Sequence, residues 1–305
     1  MLKLVHLHQS PSSQLQPLAT LQTTQKSSSA AAIPSKQPPS AARFCSCCGR
    51  RHFIEAATTA AFLPVSPPKS NASTLHSDEY LDLLNKIHPP RPDWYEEFYA
   101  SVMDTSMKSY EAKIAVYKSQ LFGKLKGKAK RVMEIGIGTG PNLEYYAGND
   151  EVQVFGLDPN KKMEKYARAS ATAVGMPPGN FHFIEAVAEA VPLDDSSIDA
   201  AVGTLVLCSV KDVSMALQEV KRVLKPGGLF LFIEHVAAKD GTSLKFWQTV
   251  LDPLQQTVAD GCHLTRETGK YITSAGFSSL ELNMASLYND PLSLISPHVY
   301  GVAWN

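Results

Sequence analysis

Residues 132–140 read Val-Met-Glu-Ile-Gly-Ile-Gly-Thr-Gly, and Pro141-Asn142 follow. An apolar strand that breaks into glycines at alternate positions and restarts as a helix narrows the fold sharply. With no Cβ at Gly136, Gly138 and Gly140, a ligand can lie against bare backbone at the carboxyl end of the strand. A tight strand-to-helix loop with no ligand is the plainer alternative. The next segment weighs against it. Residues 152–157 read as a second buried strand that ends in Asp158, 22 positions beyond Gly136. An acid at that distance, at the end of the neighbouring strand, is placed to accept from both hydroxyls of a ribose. Asp158-Pro159-Asn160 also reads as a helix N-cap, a second role compatible with the first.

From this turn onward strands and helices alternate. Helices are expected over 142–147, 161–174 and 212–224, and strands over 181–185, 198–204 and 229–233. The 212–224 segment places apolar residues at 213, 216, 217, 220, 223 and 224, the spacing of one buried helical face. Residues 229–233 are apolar throughout, as a strand covered on both faces should be. This alternation predicts an α/β fold, a doubly wound parallel sheet with the ligand at the carboxyl ends of its strands. Before it, residues 76–128 read as helical with a break at Pro89-Pro90-Arg91-Pro92, and the aromatics between Trp94 and Tyr117 are most simply core.

The front of the chain is different in kind. Residues 1–54 of the 305 contain no Asp or Glu, six Lys and Arg, and much Ser, Thr, Gln, Pro and Ala. Such a composition does not bury a core and resembles a chloroplast transit peptide. A retained disordered tail is the alternative. Arg50-Arg51, the small and apolar run 56–65 and Ser70-Asn71-Ala72 also resemble a twin-arginine thylakoid signal, against which Glu55 and Pro64 interrupt the apolar run. The stroma is the expected destination, with the thylakoid face or lumen second. From residue 75 on, 22 Lys and Arg face 28 Asp and Glu, a net of −6, which gives no electrostatic footprint for nucleic acid. Cys45, Cys47 and Cys48 lack partners at zinc spacing, and Cys208 and Cys262 alone make no disulfide framework. No apolar window is long enough for a spanning helix; peripheral membrane contact stays open.

The dinucleotide fingerprint would require Gly at 141, where the chain has Pro, so a nicotinamide or flavin dinucleotide is disfavoured. The Glu134-x-Gly136-x-Gly138-x-Gly140 form instead resembles motif I of the class I S-adenosylmethionine (SAM) methyltransferases. The run 189–199, Glu-Ala-Val-Pro-Leu-Asp-Asp-Ser-Ser-Ile-Asp, and Leu224-Lys225-Pro226-Gly227-Gly228 are similar to further pieces of the UbiE-like members. Residues 204–210, 260–268 and 297–303 resemble the methyltransferase-like branch that includes alkyl thiol methyltransferases, here in a plastid-type version. The resemblance implies a mostly parallel, seven-stranded, Rossmann-like sheet over 129–305 and a helical lid over 75–128; it departs at the front, where those enzymes look membrane-anchored through an apolar N-terminal helix and this chain has a transit-like leader and linker over 1–74. It implies SAM as cofactor, held by Glu134, Gly136, Gly138, Gly140, Asn142, Asp158, Pro159, Thr204 and Leu205, with backbone at Val187 and Ala188 near the adenine in place of the family's Gly-Asp pair.

The expected activity is transfer of the SAM methyl group to a small, largely apolar acceptor, a thiol before a quinol- or phenol-type carbon or oxygen. A non-catalytic SAM-binding protein is the alternative of another class. Methyl transfer from a sulfonium needs alignment and exclusion of water more than a strong base. His235, at the end of the fifth strand, is the first candidate to meet the acceptor proton, followed by Asp260, His263 and His298; a ring satisfied by backbone is the alternative for His235. Asp260-Gly261 also fits a plain turn, Cys262 a packed small residue, and Phe246, Trp247, Leu251 and Leu254 an apolar helix over the acceptor or ordinary core. The oligomeric state is not legible.

Overall fold

The computed structural model describes residues 77–287 and 293–305. The segment expected to be a leader, with its twin-arginine resemblance and its three cysteines, lies outside the described residues. Among the described residues seven strands form one sheet, β1 Arg131–Ile135, β2 Gln153–Asp158, β3 Phe181–Glu185, β4 Ile198–Thr204, β5 Leu224–His235, β6 Ser279–Ser286 and β7 Pro297–Trp304. Their order is β3-β2-β1-β4-β5-β7-β6. The first five pair in parallel, and β7 runs antiparallel to both β5 and β6. This is the doubly wound, mostly parallel sheet expected from the alternation.

Both faces of the sheet are covered, which explains the unbroken apolar strands. Along β5, Phe230 and Phe232 join one core cluster with Met133, Ile135 and Leu217, whereas Leu231 and Ile233 join the other with Val132, Val154 and Phe122. Each such side chain contributes about 1.5–3 kcal/mol by leaving water, so neither face tolerates a register slip.

Helix α5, Val213–Val223, follows from its sequence in detail. Asp212 caps it, its carboxylate accepting from Ser214 N at 2.9 Å and Met215 N at 3.1 Å. Val213, Ala216, Leu217, Val220 and Val223 form its buried face, and Leu224 already belongs to β5. The strand therefore begins five residues before the expected 229, with a register shift where Pro226-Gly227-Gly228 crosses. The expected helix over 142–147 is a single 3-10 turn, Leu143–Tyr146, ended by the extended backbone of Ala147 (φ −54°, ψ 139°) and by Gly148 at φ 74°.

Three helices precede β1: α1 Ser77–Ile87, α2 Asp93–Ser106 and α3 Lys108–Gly123. The proline run separates the first two, and a second break at Met107 was not legible. Helix α1 packs over the loop after β3, where the Tyr80 hydroxyl donates to Ala190 O at 2.8 Å and Leu84 meets Val187 and Ala190. Helix α3 covers one sheet face through Leu121 and Phe122, with Tyr117 against Tyr300. The remaining helices are α4 Met163–Ala173, α6 Ser243–Val258 and α7 Thr268–Ser274. Helix α6 corrects an expectation. Phe246, Trp247 and Leu254 are exposed, and the helix buries Gln248 instead, whose amide bonds Ala238 N, Val236 O and Leu294 O. No helix among the described residues is long and apolar enough to cross a membrane.

Candidate active site

A cavity of about 400 Å³ opens at the carboxyl ends of β1, β2 and β4, where the strand order reverses. Gly136 and Gly138 line it from the turn after β1, and Asn142 from the 3-10 turn beyond. Asp158 and Pro159 follow β2, Val187 and Ala188 follow β3, and Thr204 and Leu205 end β4. Of the residues expected at the cofactor, only Glu134 and Gly140 stand outside this wall. The site therefore gathers from four strand ends what the sequence scatters over 70 positions.

The two central glycines act differently. Gly136 sits at φ 64°, and a Cβ there would meet Val206 Cγ2 at 2.6 Å, so it allows close packing of the turn on the loop after β4. Gly138 sits at φ 52°, and a Cβ there would meet no protein atom within 4 Å. Its backbone is bare towards the cavity. Gly138 N donates to Asp158 Oδ2 at 2.9 Å and Asn160 N to Asp158 Oδ1 at 2.9 Å. Burial pushes the Asp158 carboxyl up to about 6 against these two bonds, and each oxygen keeps a further lone pair for a ligand hydroxyl.

Glu134 has a role one layer back. It is 1% exposed, and its Oε2 accepts from Asn142 Nδ2 at 3.1 Å while Oε1 accepts from the Tyr146 hydroxyl at 2.7 Å. A carboxylate offers no donor when ionised, so it fixes which end of the Asn142 amide faces it. Asn142 Nδ2 is also 3.3 Å from Thr204 Oγ1, leaving Asn142 Oδ1 buried with no partner beside the cavity. An orphaned acceptor of this kind fits the ammonium group of SAM, and the Asp158 carboxylate fits its ribose. Gly140 packs inward, where a Cβ would meet Leu143 Cδ1 at 2.7 Å.

The turn after β4 is strained and pinned. Leu205 holds φ 55°, a conformation that costs a non-glycine residue of order 1 kcal/mol. The next two amides, Val206 N and Leu207 N, donate to Glu234 Oε1 at 3.1 and 3.0 Å. Burial pushes the Glu234 carboxyl up to about 7, with the two amide bonds opposing.

The opposite half of the cavity is built by the N-terminal helices and the loop after α6. Tyr99, Met103 and Met107 line it together with Val210, Asp260 and His263. His88 Nε2 lies 3.3 Å from Asp260 Oδ2, and Arg91 Nη2 lies 3.3 Å from Asp260 Oδ1. The bond to Asp260 raises the His88 imidazole above its usual range. Burial pushes Asp260 up, but the His88 bond and the charges of His88 and Arg91 bring it below the usual carboxylate value. The group thus ties α1 and the α1–α2 turn to the loop after α6. Sequence reasoning passed over His88, whose only signal was a histidine at the end of a helix before a proline run.

The acceptor candidates separate. Asp260 and His263 line the cavity, with His263 Nδ1 at 3.4 Å from Asp252 Oδ2. His298 does not; it is buried against the Tyr110 hydroxyl at 2.8 Å, and burial holds it down to about 4. His235 ends β5 at the carboxyl edge of the sheet as expected but does not line the cavity. It is 2% exposed, stands behind the wall, and its Nε2 lies 3.0 Å from Cys262 Sγ. Position at the end of β5 fixes the strand end but not what the ring meets, and the loop after α6 sets Cys262 against it. The neighbouring Cys208 thiol and the His235 ring pull the Cys262 thiol down, while Cys208 itself is pushed up by Cys262 and by burial.

Residues 133–232 match the family model described as a methyltransferase domain. The chain is 41% identical over 208 residues to thiol S-methyltransferase TMT1A of Homo sapiens, covering 64% of this chain and 80% of that protein. It is 39% identical over 234 residues to thiol S-methyltransferase TMT1B of Rattus norvegicus, covering 73% and 91%. Among solved structures, a chain of the complex between the Haloferax volcanii Trm112 methyltransferase activator and a methyltransferase shares the fold. It has a TM-score of 0.53 at 18% identity, covering 70% of this chain and 99% of that one.

Proposed function

The chain belongs to the class I SAM-dependent methyltransferases, and from that premise we propose that its acceptor is a small, largely apolar thiol. The observation that carries this reading is the likeness of about 40% to thiol S-methyltransferases over 80% and 91% of their lengths. The cavity supports it. Its acceptor half presents Met103, Met107 and Val210, soft and apolar surfaces suited to a hydrophobic thiol.

Bound SAM supplies a methyl group made electrophilic by its sulfonium. The chain's own residues align and shield. Gly138 leaves the backbone open to the cofactor, Asp158 takes the ribose, and Asn142, held by Glu134, offers its free carbonyl oxygen to the ammonium. The helices over 77–123 serve as the cover that excludes water, locked by His88 and Arg91 on Asp260. A thiol needs little help to ionise, so alignment and exclusion of water suffice without a strong base in the site. Incubating the full chain with labelled SAM and a thiol, a phenol and a quinol tests the reading. Transfer to the thiol is expected; activity confined to the quinol or phenol overturns it, and SAM binding with no transfer to any acceptor favours a non-catalytic protein.

The acid-free leader further supports import into the chloroplast stroma. A fluorescent fusion of residues 1–75 is expected inside chloroplasts, and cytosolic fluorescence removes that reading.

A further inference from the structure

Cys208, His235 and Cys262 lie 27 residues apart from one another in turn, with none of the short spacings that mark a metal motif. The fold brings them together from three places: the loop after β4, the last residue of β5 and the loop after α6. One ligand atom from each lies within 4.8 Å of the other two, and all three residues are buried. Ligands bound tetrahedrally at about 2.0–2.3 Å from zinc stand about 3.5–3.8 Å apart, so the cluster needs only small side-chain adjustments to reach that spacing. We propose that Cys208, His235 and Cys262 form a zinc site.

The chemistry of the three donors favours this occupant. Thiolate and imidazole together select zinc over the hard cations that prefer oxygen. Charge decides further. On binding, both thiols become thiolates, and one Zn²⁺ balances their two charges so that the buried group is neutral. The cation in contact with this loop is directed elsewhere, since Arg266 Nη1 donates to the carbonyls of Leu207, Cys208 and Val210 at 2.8, 2.9 and 2.7 Å. His235 Nδ1 is buried without a partner, so an imidazolium facing a thiolate would leave a charged N–H unsatisfied. A neutral ring bound through Nε2 leaves only an uncharged N–H there. Binding releases two protons, one from each thiol, and needs no oxidant.

The site would matter because of what its ligands carry. Ser209, next to Cys208, and Asp260 and Gly261, just before Cys262, line the acceptor half of the cavity. His263 N also donates to Cys208 O at 3.0 Å. Zinc would fasten these two loops to the end of β5 and set the shape of that wall. Three protein ligands leave a fourth position open, as in catalytic rather than structural zinc sites.

The test is the metal content of the full chain purified from zinc-supplemented cells, by elemental mass spectrometry. About one zinc per chain is expected, falling at least about tenfold in Cys208→Ser and in Cys262→Ser. A Cys45→Ser, Cys47→Ser, Cys48→Ser chain should keep its zinc, which separates this site from the leader cysteines. Should the single variants fold poorly, cobalt exchanged into the unmodified chain gives the second readout: a near-ultraviolet thiolate-to-cobalt charge-transfer band is expected. Zinc below about a tenth per chain, zinc retained by the Cys208 and Cys262 variants, no charge-transfer band, or a Cys208–Cys262 disulfide in place of metal would each overturn the proposal.

Discussion

The pH dependence of SAM binding follows from the environment of Asp158. Its carboxyl is raised from an ordinary 3.8 to about 6, chiefly by burial, with the nearby Asp260 charge adding and His88 opposing. A protonated carboxyl presents a donor where a ribose hydroxyl needs an acceptor, so the ionised form is the binding form. Between pH 7 and pH 5 the SAM dissociation constant should therefore rise about tenfold. The sign for stability is opposite. A raised folded value means the free fold is favoured by protonation: this group's contribution, about 3 kcal/mol, is present below about pH 4 and is lost as pH rises through about 6. The ligand-free site thus carries a cost at neutral pH that bound SAM offsets. Asp158→Asn keeps one acceptor for the two amides of Gly138 and Asn160 and cannot ionise. It should lower affinity by about 1.5–3 kcal/mol, about 10- to 150-fold, and abolish the pH slope. Titration calorimetry at pH 5, 6 and 7, below the range of the cofactor's α-amino group, reads both effects. A flat wild-type profile, or the same slope in the variant, refutes the reasoning.

Three further outcomes are expected. Glu134→Gln should weaken SAM binding about tenfold with little change in fold, because a Gln amide no longer dictates which end of Asn142 faces the cofactor; equal affinity by calorimetry would remove Glu134 from the positioning role. Glu111→Ala leaves the fully buried Lys118 ammonium without its ion-pair partner and should cost about 3 kcal/mol in chemical denaturation, whereas Lys118→Met should cost less, since Glu111 is partly exposed; the reverse order would contradict this. Gly138→Arg should abolish SAM binding while circular dichroism stays native, the side chain entering the open space that Gly138 faces.

How much of this was legible differs by element. The glycine turn and the acid 22 positions on could be read because both express backbone constraints local to a strand end, and the structure places Gly138 N on Asp158 itself. Buried strands and helix α5 were legible from apolar periodicity, whereas the Asp212 cap emerged only in the structure. Side-chain direction beyond a strand end was not. His235 reaches the carboxyl edge of the sheet as expected, yet its ring meets Cys262 because of where the loop after α6 lies, a long-range arrangement that no local pattern records. Helix α6 misled for a related reason: its apolar residues suggested an inner face, but the bonds made by Gln248 turn that polar side inward. His88 went unseen because its partner, Asp260, is 172 residues away.

The central claim is methyl transfer to sulfur, and one substrate tests it most directly. A mercaptophenol carries a thiol and a hydroxyl on the same ring, so the full chain chooses between them at equal concentration and nearly equal fit. With SAM carrying a ¹³C-labelled methyl group, the carbon resonance of the product distinguishes S-methyl from O-methyl. The account predicts the S-methyl product, with a rate that climbs with pH until the aryl thiol is ionised, which lies below the value of about 8.5 for a cysteine-type thiol. An O-methyl product, or unreacted acceptor despite measurable SAM binding, would contradict it.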